Sequence, residues 1–201
     1  MTEENKLITE RKKKLDEIKK KYKPYPNSFK KLHSTDVVVS KYSNCEKESL
    51  AEDAVNVSVS GRLLTIRNMG NSSFANLHDE NGNIQIYLQK KQVGEDAYWL
   101  FNNLDLGDIV GITGKLFKTK TGELTINTET IELLSKSLRP LPEKFHGISD
   151  IEIKYRQRYL DLMVNPETKK LFKIRSKIIS AIRNYFINDS YLEVETPMMH
   201  M

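Results

Sequence analysis

The pattern of apolar and polar positions changes from a helical period to a period of two near residue 54. Before that point, residues 3–22 contain no Gly or Pro and repeat apolar side chains at helical spacing, which predicts an amphipathic helix. Its thin apolar stripe consists of Ile8, Leu15, Ile18 and Tyr22. A short helix opened by the cap candidates Ser34-Thr35-Asp36 is predicted next. Residues 43–53 are predicted to be a connector.

From Val55 onward, apolar and polar side chains alternate with a period of two, which is the pattern of strands with one buried face. Gly61 predicts a bulge in the first strand, and residues 93–104 predict a helix between the third and fourth strands. The five predicted strands cover residues 55–67, 74–79, 84–88, 108–117 and 124–133. Five strands with a helix in this place are the element order of an OB-fold, a small barrel that binds oligonucleotides.

In the last third of the chain the pattern becomes helical again. Residues 138–150 contain two prolines and a glycine and predict an ordered linker, and a helix is predicted near residues 151–162. Asn165-Pro166-Glu167 then has the composition of a helix start, and the helix is predicted to run to about Ile187. Its apolar stripe is wide enough to need partners on more than one side. Residues 191–195 predict a short strand, so we expect the sequence to stop just inside a second domain.

The positive charge of the chain is concentrated at its N-terminal end. The net charge is +5, but residues 1–31 carry +6 and the remaining residues sum to −1. Such an arm suits a polyanion such as RNA, although a solvated helix face without a partner would have the same composition. The lysines predicted to face solvent on the first helix are Lys12, Lys13, Lys19 and Lys20.

Several classes of protein are excluded by what the sequence lacks. It has no apolar run near the roughly 20 residues of a membrane-spanning helix, and no apolar signal segment at its N-terminus. The single cysteine, Cys45, excludes an internal disulfide and a paired-cysteine zinc site, which favours a reducing cytoplasm. No nucleotide-binding glycine motif is present and no histidines have metal-ligand spacing. We therefore predict no catalytic residue and no metal ligand in this sequence.

Strand phase predicts which side chains lie on the outside of the barrel. On the second strand, Ala75 and Leu77 are predicted to face the core, so Phe74 faces outward. The same alternation places Gln85 and Glu123 outward on the third and fifth strands. An exposed ring can stack on a base, and amide and carboxylate groups can read a base edge.

Two alternatives remain open for this face. Phe74 could instead pack beneath the N-terminal helix. Arg67 could add charge or stacking to the face, but a bulge at Gly61 would reverse its phase.

The sequence resembles a known family, the bacterial-type class II lysyl-tRNA synthetases. The resemblance runs from about residue 5 to the end and is most specific at residues 139–165, which read RPLPEKFHGISDIEIKYRQRYLDLMVN. Residues 114–126 (GKLFKTKTGELTI) and 191–199 (YLEVETPMM) also match. Residues 191–199 are similar to the end of class II motif 1, which consists of a long helix and a strand that ends at a proline, here Pro197.

The resemblance implies an activity, ligands and site residues. The family attaches lysine to tRNA(Lys) through lysyl-adenylate, with ATP and Mg²⁺, and its OB-fold reads a U-rich anticodon. The family's anticodon contacts correspond to Arg67, Phe74, Gln85 and Glu123. Contacts to the tRNA backbone are expected from Lys12, Lys13, Lys19, Lys20, Lys118 and Lys120. Motif 1 forms the homodimer interface in that family, which here implies Ile178, Ile182, Tyr185, Phe186 and Pro197.

The expected organisation has four parts. They are a basic helical extension at residues 1–53, an OB-fold at 54–136, a linker at 137–164, and the first helix and strand of a class II α+β catalytic domain at 165–201. Motifs 2 and 3 are not in the sequence. We therefore expect a cytoplasmic enzyme whose catalytic residues lie downstream, and we expect these residues alone neither to form adenylate nor to charge tRNA.

Two other functions are compatible with parts of the pattern. A free-standing OB-fold module for RNA or single-stranded DNA would explain residues 54–136, but it would have no need of residues 165–201. A structural role, in which residues 165–201 serve only to dimerise, is the third hypothesis.

Overall fold

Five strands close into a β-barrel because each of them places apolar side chains on one face at every second position. The computed structural model describes residues 3–23, 25–141 and 150–199. The strands are β1 (Asn56–Met69), β2 (Ser72–His78), β3 (Asn83–Gln89), β4 (Ile109–Lys118) and β5 (Leu124–Ser135). Their order around the barrel is β1-β2-β3-β5-β4, and β3 and β5 are parallel whereas the other pairs are antiparallel. The predicted five-stranded barrel is confirmed.

Three helices precede the barrel, namely α1 (Glu3–Lys21), α2 (Thr35–Tyr42) and α3 (Lys47–Asp53). The first two were predicted, and Ser34 is the N-cap residue of α2. The prediction of a connector at residues 43–53 was wrong, because residues 47–53 form α3. Leu50 of α3 is 2% exposed and belongs to the hydrophobic core, so packing of one apolar side chain holds this otherwise polar segment as a helix.

The helix predicted at residues 93–104 is present as a shorter helix, and a further short helix that was not predicted precedes it. The preceding helix is α4 (Lys90–Val93), and the predicted one is α5 (Glu95–Asn102). Gly94 separates them with φ of +87°, a backbone conformation that glycine adopts without the strain of a side chain. Tyr98, Leu100 and Phe101 of α5 are buried, which anchors this crossover connection to the barrel.

The core of the first unit lies inside the barrel. Inward-facing side chains from all five strands are almost completely buried and form one cluster with Ile18 of α1 and Leu100 of α5. The most buried members from the strands are Val59, Leu63, Leu77, Ile86, Leu88, Val110, Ile112 and Ile126. The apolar stripe predicted for the first helix is therefore confirmed at Leu15 and Ile18, which are buried.

The bulge in β1 does not lie at the predicted position. The register between β1 and β2 shifts between Leu63 and Thr65 rather than at Gly61. Gly61 is needed for a different reason, since an added Cβ would lie 2.5 Å from the main-chain oxygen of His78. Beyond the shift, Arg67 pairs with Phe74, so the local irregularity determines which face of the sheet Arg67 occupies.

A buried charge cluster attaches α1 to the barrel. The ammonium group of Lys136, at the end of β5, is fully buried and pairs with Asp105 and with Asp108, the latter at 2.7 Å. Lys14 of α1 also pairs with Asp105, at 2.7 Å. Burial raises the pKa of Asp105, but hydrogen bonds and charge from Lys136 and Lys14 outweigh that effect and the pKa is lowered. The carboxylate thus stays charged and links α1 to the loop before β4.

A second buried carboxylate attaches α2 to the turn between β2 and β3. The side chain of Asp79 is 3% exposed and pairs with Lys31 at 2.8 Å. It accepts hydrogen bonds from the backbone N–H and the hydroxyl of Thr35 and from the backbone N–H groups of Asn81 and Gly82. Burial acts to raise the pKa of Asp79, but these donors lower it well below its usual range. One carboxylate therefore organises both the helix start and the hairpin turn.

The second unit of the structure begins at Leu141, and its described residues form three helices. They are α6 (Ile151–Arg156), α7 (Arg158–Val164) and α8 (Pro166–Asn188), so the one helix predicted near residues 151–162 is two. The predicted start of α8 is confirmed, because the Asn165 side chain caps the backbone N–H of Glu167 at 3.2 Å and Pro166 is the first helical residue. Asp161 is buried and pairs with Arg158 at 2.6 Å.

The strand predicted at residues 191–195 is not formed. Residues 191–197 have no regular secondary structure, because a strand needs a neighbouring strand to satisfy its backbone groups and the described part of the second unit contains none. Residues 142–149 of the predicted linker, including His146, and residues 200–201 lie outside the described residues.

The charge cluster predicts a large difference between two lysine substitutions. Lys136→Met leaves the carboxylate of Asp108 buried without its cation, so we expect the free energy of unfolding to fall by about 3–5 kcal/mol. Urea unfolding followed by the fluorescence of Trp99, the only tryptophan, measures the stability of the first unit. The control is Lys19→Met, which breaks an exposed pair with Asp16 and should change stability by less than about 1 kcal/mol. Equal effects of the two substitutions would contradict the anchoring role of Lys136.

Candidate nucleic-acid interface

A small cavity on the outer face of the barrel contains all four residues that the sequence analysis selected for anticodon binding. Its volume is about 80 Å³. It is formed by neighbouring positions on β1, β2 and β3 and by the residue that precedes β5. The lining residues are Thr65, Arg67, Phe74, Ala75, Asn76, Gln85 and Glu123. Residues separated by up to 58 positions in the chain thus meet at one place.

Strand alternation explains why these side chains point outward. On β2, Ala75 and Leu77 are buried in the core, whereas Phe74 and Asn76 are only half-buried. On β3, Ile86 is buried and Gln85 is half-buried on the opposite face. The predicted phase of both strands is confirmed.

Phe74 belongs to a short aromatic row on this face. Its ring centroid lies 4.6 Å from that of Tyr87, its direct cross-strand partner on β3. Tyr87 in turn lies 5.9 Å from Phe117 of β4. The apolar stripe of α1 contributes to the core instead, and its Tyr22 stacks on Trp99 of α5. The alternative in which Phe74 packs beneath the N-terminal helix is therefore not supported.

Gln85 and Glu123 form a hydrogen-bonded pair at the edge of the cavity. The side-chain Nε2 of Gln85 donates to Oε2 of Glu123 at 2.8 Å. Glu123 is itself held by the turn that precedes β5, because its N–H donates to Oγ1 of Thr119 at 3.1 Å and its carbonyl accepts from the N–H of Thr119 at 3.0 Å. The carboxylate and the amide are thus presented side by side on an ordered turn.

Arg67 completes the cavity from β1. Its side chain is exposed, and its cross-strand partner is Phe74. The shift in register at residues 63–65 places it on the same face as Phe74, which resolves the phase that the sequence left open. The cavity therefore combines a ring, a guanidinium, an amide and a carboxylate.

The lysines selected for backbone contact occupy two places. Lys12, Lys13, Lys19 and Lys20 are exposed on α1, as predicted. Lys19 also lies 3.3 Å from the exposed carboxylate of Asp16. Lys118 ends β4 and Lys120 lies in the turn that leads to Glu123, so both are close in sequence to the cavity.

The residues selected for a dimer interface lie in the second unit. Ile178, Ile182, Tyr185 and Phe186 are exposed on α8, and Pro197 is exposed beyond it. The end of α8 and the segment after it border a cavity of about 380 Å³, where Arg183 pairs with Glu193 at 2.9 Å. An apolar helix face left uncovered within one chain is the kind of surface that mediates protein association.

Four residues that line or adjoin the cavity were not predicted as site residues from the sequence, namely Thr65, Ala75, Asn76 and Thr125. Thr65 follows the register shift, whose position the sequence did not reveal. Thr125 is on the outward phase of β5 but is completely buried, because it lies between Gln85 of β3 and Phe117 of β4. Its outward phase was readable from the alternation with Leu124 and Ile126, but its burial depends on strand pairing.

The described residues contain no group of three or more His, Cys, Asp or Glu side chains that could hold a metal ion. None of the described helices is long and apolar enough to span a membrane.

Two segments of the chain match known protein families. Residues 57–134 match a family of OB-fold nucleic acid binding domains, and residues 150–201 match the class II tRNA synthetases for D, K and N. A lysine–tRNA ligase of Bacillus subtilis is 51% identical over 88% of this chain and 36% of its own length. The lysine–tRNA ligase of Dechloromonas aromatica is 50% identical over 98% of this chain and 40% of its own length. The chain thus spans about two fifths of the length of these curated relatives.

Proposed function

The chain belongs to the lysyl-tRNA synthetase family, and on this premise we propose that its barrel binds the anticodon of tRNA(Lys). The observation that carries the proposal is the single cavity that unites the ring of Phe74 with the polar groups of Arg67, Gln85 and Glu123. A ring that lies beside hydrogen-bonding groups can hold one base by stacking and read its edge at the same time.

The polar groups of the cavity complement uracil. The Watson–Crick edge of uracil has one donor, N3–H, between two acceptors, O2 and O4. The carboxylate of Glu123 only accepts, whereas the guanidinium of Arg67 and the second Nε2 proton of Gln85 donate. Cytosine has an unprotonated N3 and a donor amino group, so it would bring N3 toward a carboxylate that cannot donate. This chemistry supports the U-rich anticodon as the ligand.

We assign the part of the affinity that does not depend on the RNA sequence to lysines on α1 and near the turn before Glu123. Lys12, Lys13, Lys19 and Lys20 are exposed on α1. Lys118 ends β4, and Lys120 lies in the turn before Glu123. Cationic side chains at these positions attract phosphate groups and release counterions when they bind, which adds affinity without reading bases.

For the whole protein, we propose ATP-dependent attachment of lysine to tRNA(Lys) through lysyl-adenylate, in the cytoplasm. ATP, lysine and Mg²⁺ are ligands of the whole protein in this proposal. The described residues contain no acidic or histidine cluster that fits a metal ion, so no step of the chemistry is assigned to them. Ile178, Ile182, Tyr185, Phe186 and Pro197 are proposed to meet a second copy of the chain, which is supported by the exposed apolar face of α8.

The proposed organisation keeps the four parts given above, with boundaries after residues 53, 136 and 164. The division of the structure between Pro140 and Leu141 supports a boundary within the linker. A free-standing OB-fold module is not favoured, because the similarity to lysine–tRNA ligases extends over 98% of the chain and includes the class II segment. The same similarity speaks against a role in dimerisation alone.

The proposal predicts discrimination at the middle anticodon base. We expect the chain to bind a tRNA(Lys) transcript with anticodon UUU at least about tenfold more tightly than the same transcript with UCU, a difference of about 1.4 kcal/mol. A binding titration at one fixed, moderate salt concentration measures both affinities. Equal affinities would contradict anticodon reading and would leave a charged helix on a barrel that binds RNA without specificity.

Removal of the stacking ring should weaken binding and leave the barrel folded. Phe74→Ala is expected to lower the affinity for the UUU transcript by about 1–3 kcal/mol, because a stacked base loses its aromatic partner. The matched control is Phe117→Ala, which removes a ring of the same aromatic row outside the cavity and should have a smaller effect. Loss of cooperative unfolding in Phe74→Ala would instead identify Phe74 as a core residue.

The lysines of α1 should contribute through salt-dependent attraction. Replacement of Lys12, Lys13, Lys19 and Lys20 by Gln is expected to weaken binding to both transcripts and to flatten the plot of log Kd against log salt concentration. The control changes the same number of charges on α8, at Lys169, Lys170, Lys173 and Lys177. An unchanged salt slope in the α1 variant would show that α1 does not contact phosphate.

A further inference from the structure

We propose that Thr125 is a positioning residue for base discrimination, and that its buried hydroxyl fixes the orientation of the Gln85 amide. The proposal rests on the proposed function, since it concerns how the same cavity distinguishes uracil from cytosine. Thr125 does not line the cavity, so its effect would pass through Gln85.

The contact between the two residues is direct and completely buried on the threonine side. Oγ1 of Thr125 donates to Oε1 of Gln85 at 2.9 Å, and Thr125 is 0% exposed. The two residues are register partners in the parallel pairing of β3 with β5. Oγ1 also lies 3.1 Å from the main-chain oxygen of Glu123, so its proton points into the space between two acceptors.

An amide side chain has a donor end and an acceptor end, and its chemistry toward a ligand depends on which end faces which way. In this structure the acceptor Oε1 shares the Thr125 proton with the main-chain oxygen of Glu123, and the donor Nε2 bonds to the Glu123 carboxylate. The two contacts hold opposite ends of the same amide. The remaining Nε2 proton therefore points in one fixed direction. This proton is the donor that the proposed contact with uracil requires.

Loss of the Thr125 hydroxyl would remove one of these two restraints. The terminal torsion of a glutamine side chain has a broad energy profile, so one hydrogen bond to an exposed carboxylate does not hold the amide in a single position. Oε1 would also lose its buried donor, which favours a rotation that brings Oε1 toward water. We expect the donor to become disordered with respect to the base, while stacking on Phe74 and attraction by the lysines persist.

The same strand offers a matched control. Thr128 is also 0% exposed on β5, but its Oγ1 has no hydrogen-bond partner among the residues that the structure describes. Thr→Val at either position removes a buried hydroxyl and keeps the branched shape of the side chain. The two substitutions therefore differ in whether the lost hydroxyl has hydrogen-bond partners, and Gln85 is the only side chain among the partners of the Thr125 hydroxyl that the structure gives.

The test compares affinities of Thr125→Val, Thr125→Ser and Thr128→Val for the UUU and UCU transcripts at one salt concentration. The expected result is that Thr125→Val reduces the UUU/UCU affinity ratio at least about fivefold and leaves the salt slope unchanged. Thr125→Ser keeps the hydroxyl and should retain the wild-type ratio. Thr128→Val should also retain it.

The possible outcomes distinguish failure of the proposed function from failure of the proposed role of Thr125. If the wild-type chain does not distinguish the transcripts, the proposed function fails and the role of Thr125 fails with it. If the wild-type chain discriminates and Thr125→Val does so equally, or if Thr125→Ser loses discrimination as well, only the role of Thr125 is overturned. If Thr125→Val does not fold, Thr125→Ala is compared with Thr125→Ser, because these two variants differ by the hydroxyl alone. Equal UUU/UCU affinity ratios in the two variants would overturn the proposal.

Discussion

The parallel pairing of β3 with β5 closes the barrel, and the outer face depends on it. Only three register pairs form this seam, Gln85 with Thr125, Ile86 with Ile126 and Tyr87 with Asn127. The middle pair is completely buried in the core. Because side chains alternate along a strand, the flanking pairs must lie on the outside. The pairing that closes the core therefore also brings Gln85 beside Thr125 and Glu123, which are about 40 positions away in the chain.

Two carboxylates, one buried and one partly buried, make the N-terminal helices part of the same unit as the barrel. Asp79 joins the start of α2 to the β2–β3 turn, and Asp105 joins α1 to the Lys136 cluster. Each would be unfavourable as an isolated charge at its position away from solvent, so both depend on partners from distant parts of the sequence. As a consequence, the cationic face of α1 is held by specific contacts to the barrel rather than tethered as a free arm.

The sequence was sufficient for features that depend on local alternation and insufficient for those that depend on pairing. Strand phase alone selected Phe74, Gln85 and Glu123, because burial on one face repeats every two residues. Arg67 could not be placed in this way, since one register shift at residues 63–65 decides its face. Likewise α3 owes its helix to the burial of Leu50, and residues 191–195 have strand composition but no strand beside them. Thr125 shows the same limit, because its outward phase was visible whereas its burial arises from the two strands on either side.

The proposed function combines attraction to phosphate with reading of a base, and the two differ in how far the protein groups are buried. The lysines of α1 are surrounded by water, so their attraction to phosphate is weakened by salt and carries no information about sequence. Gln85 lies at the cavity, where a fully buried hydroxyl supports one end of its amide and a carboxylate on an ordered turn supports the other. Discrimination between two bases of similar size requires that a wrong base leave a polar group unpaired, and such a penalty exists only where the protein group cannot turn away to another partner. The restraint on Gln85 is thus the physical requirement for specificity, and charge on the helix is the requirement for affinity.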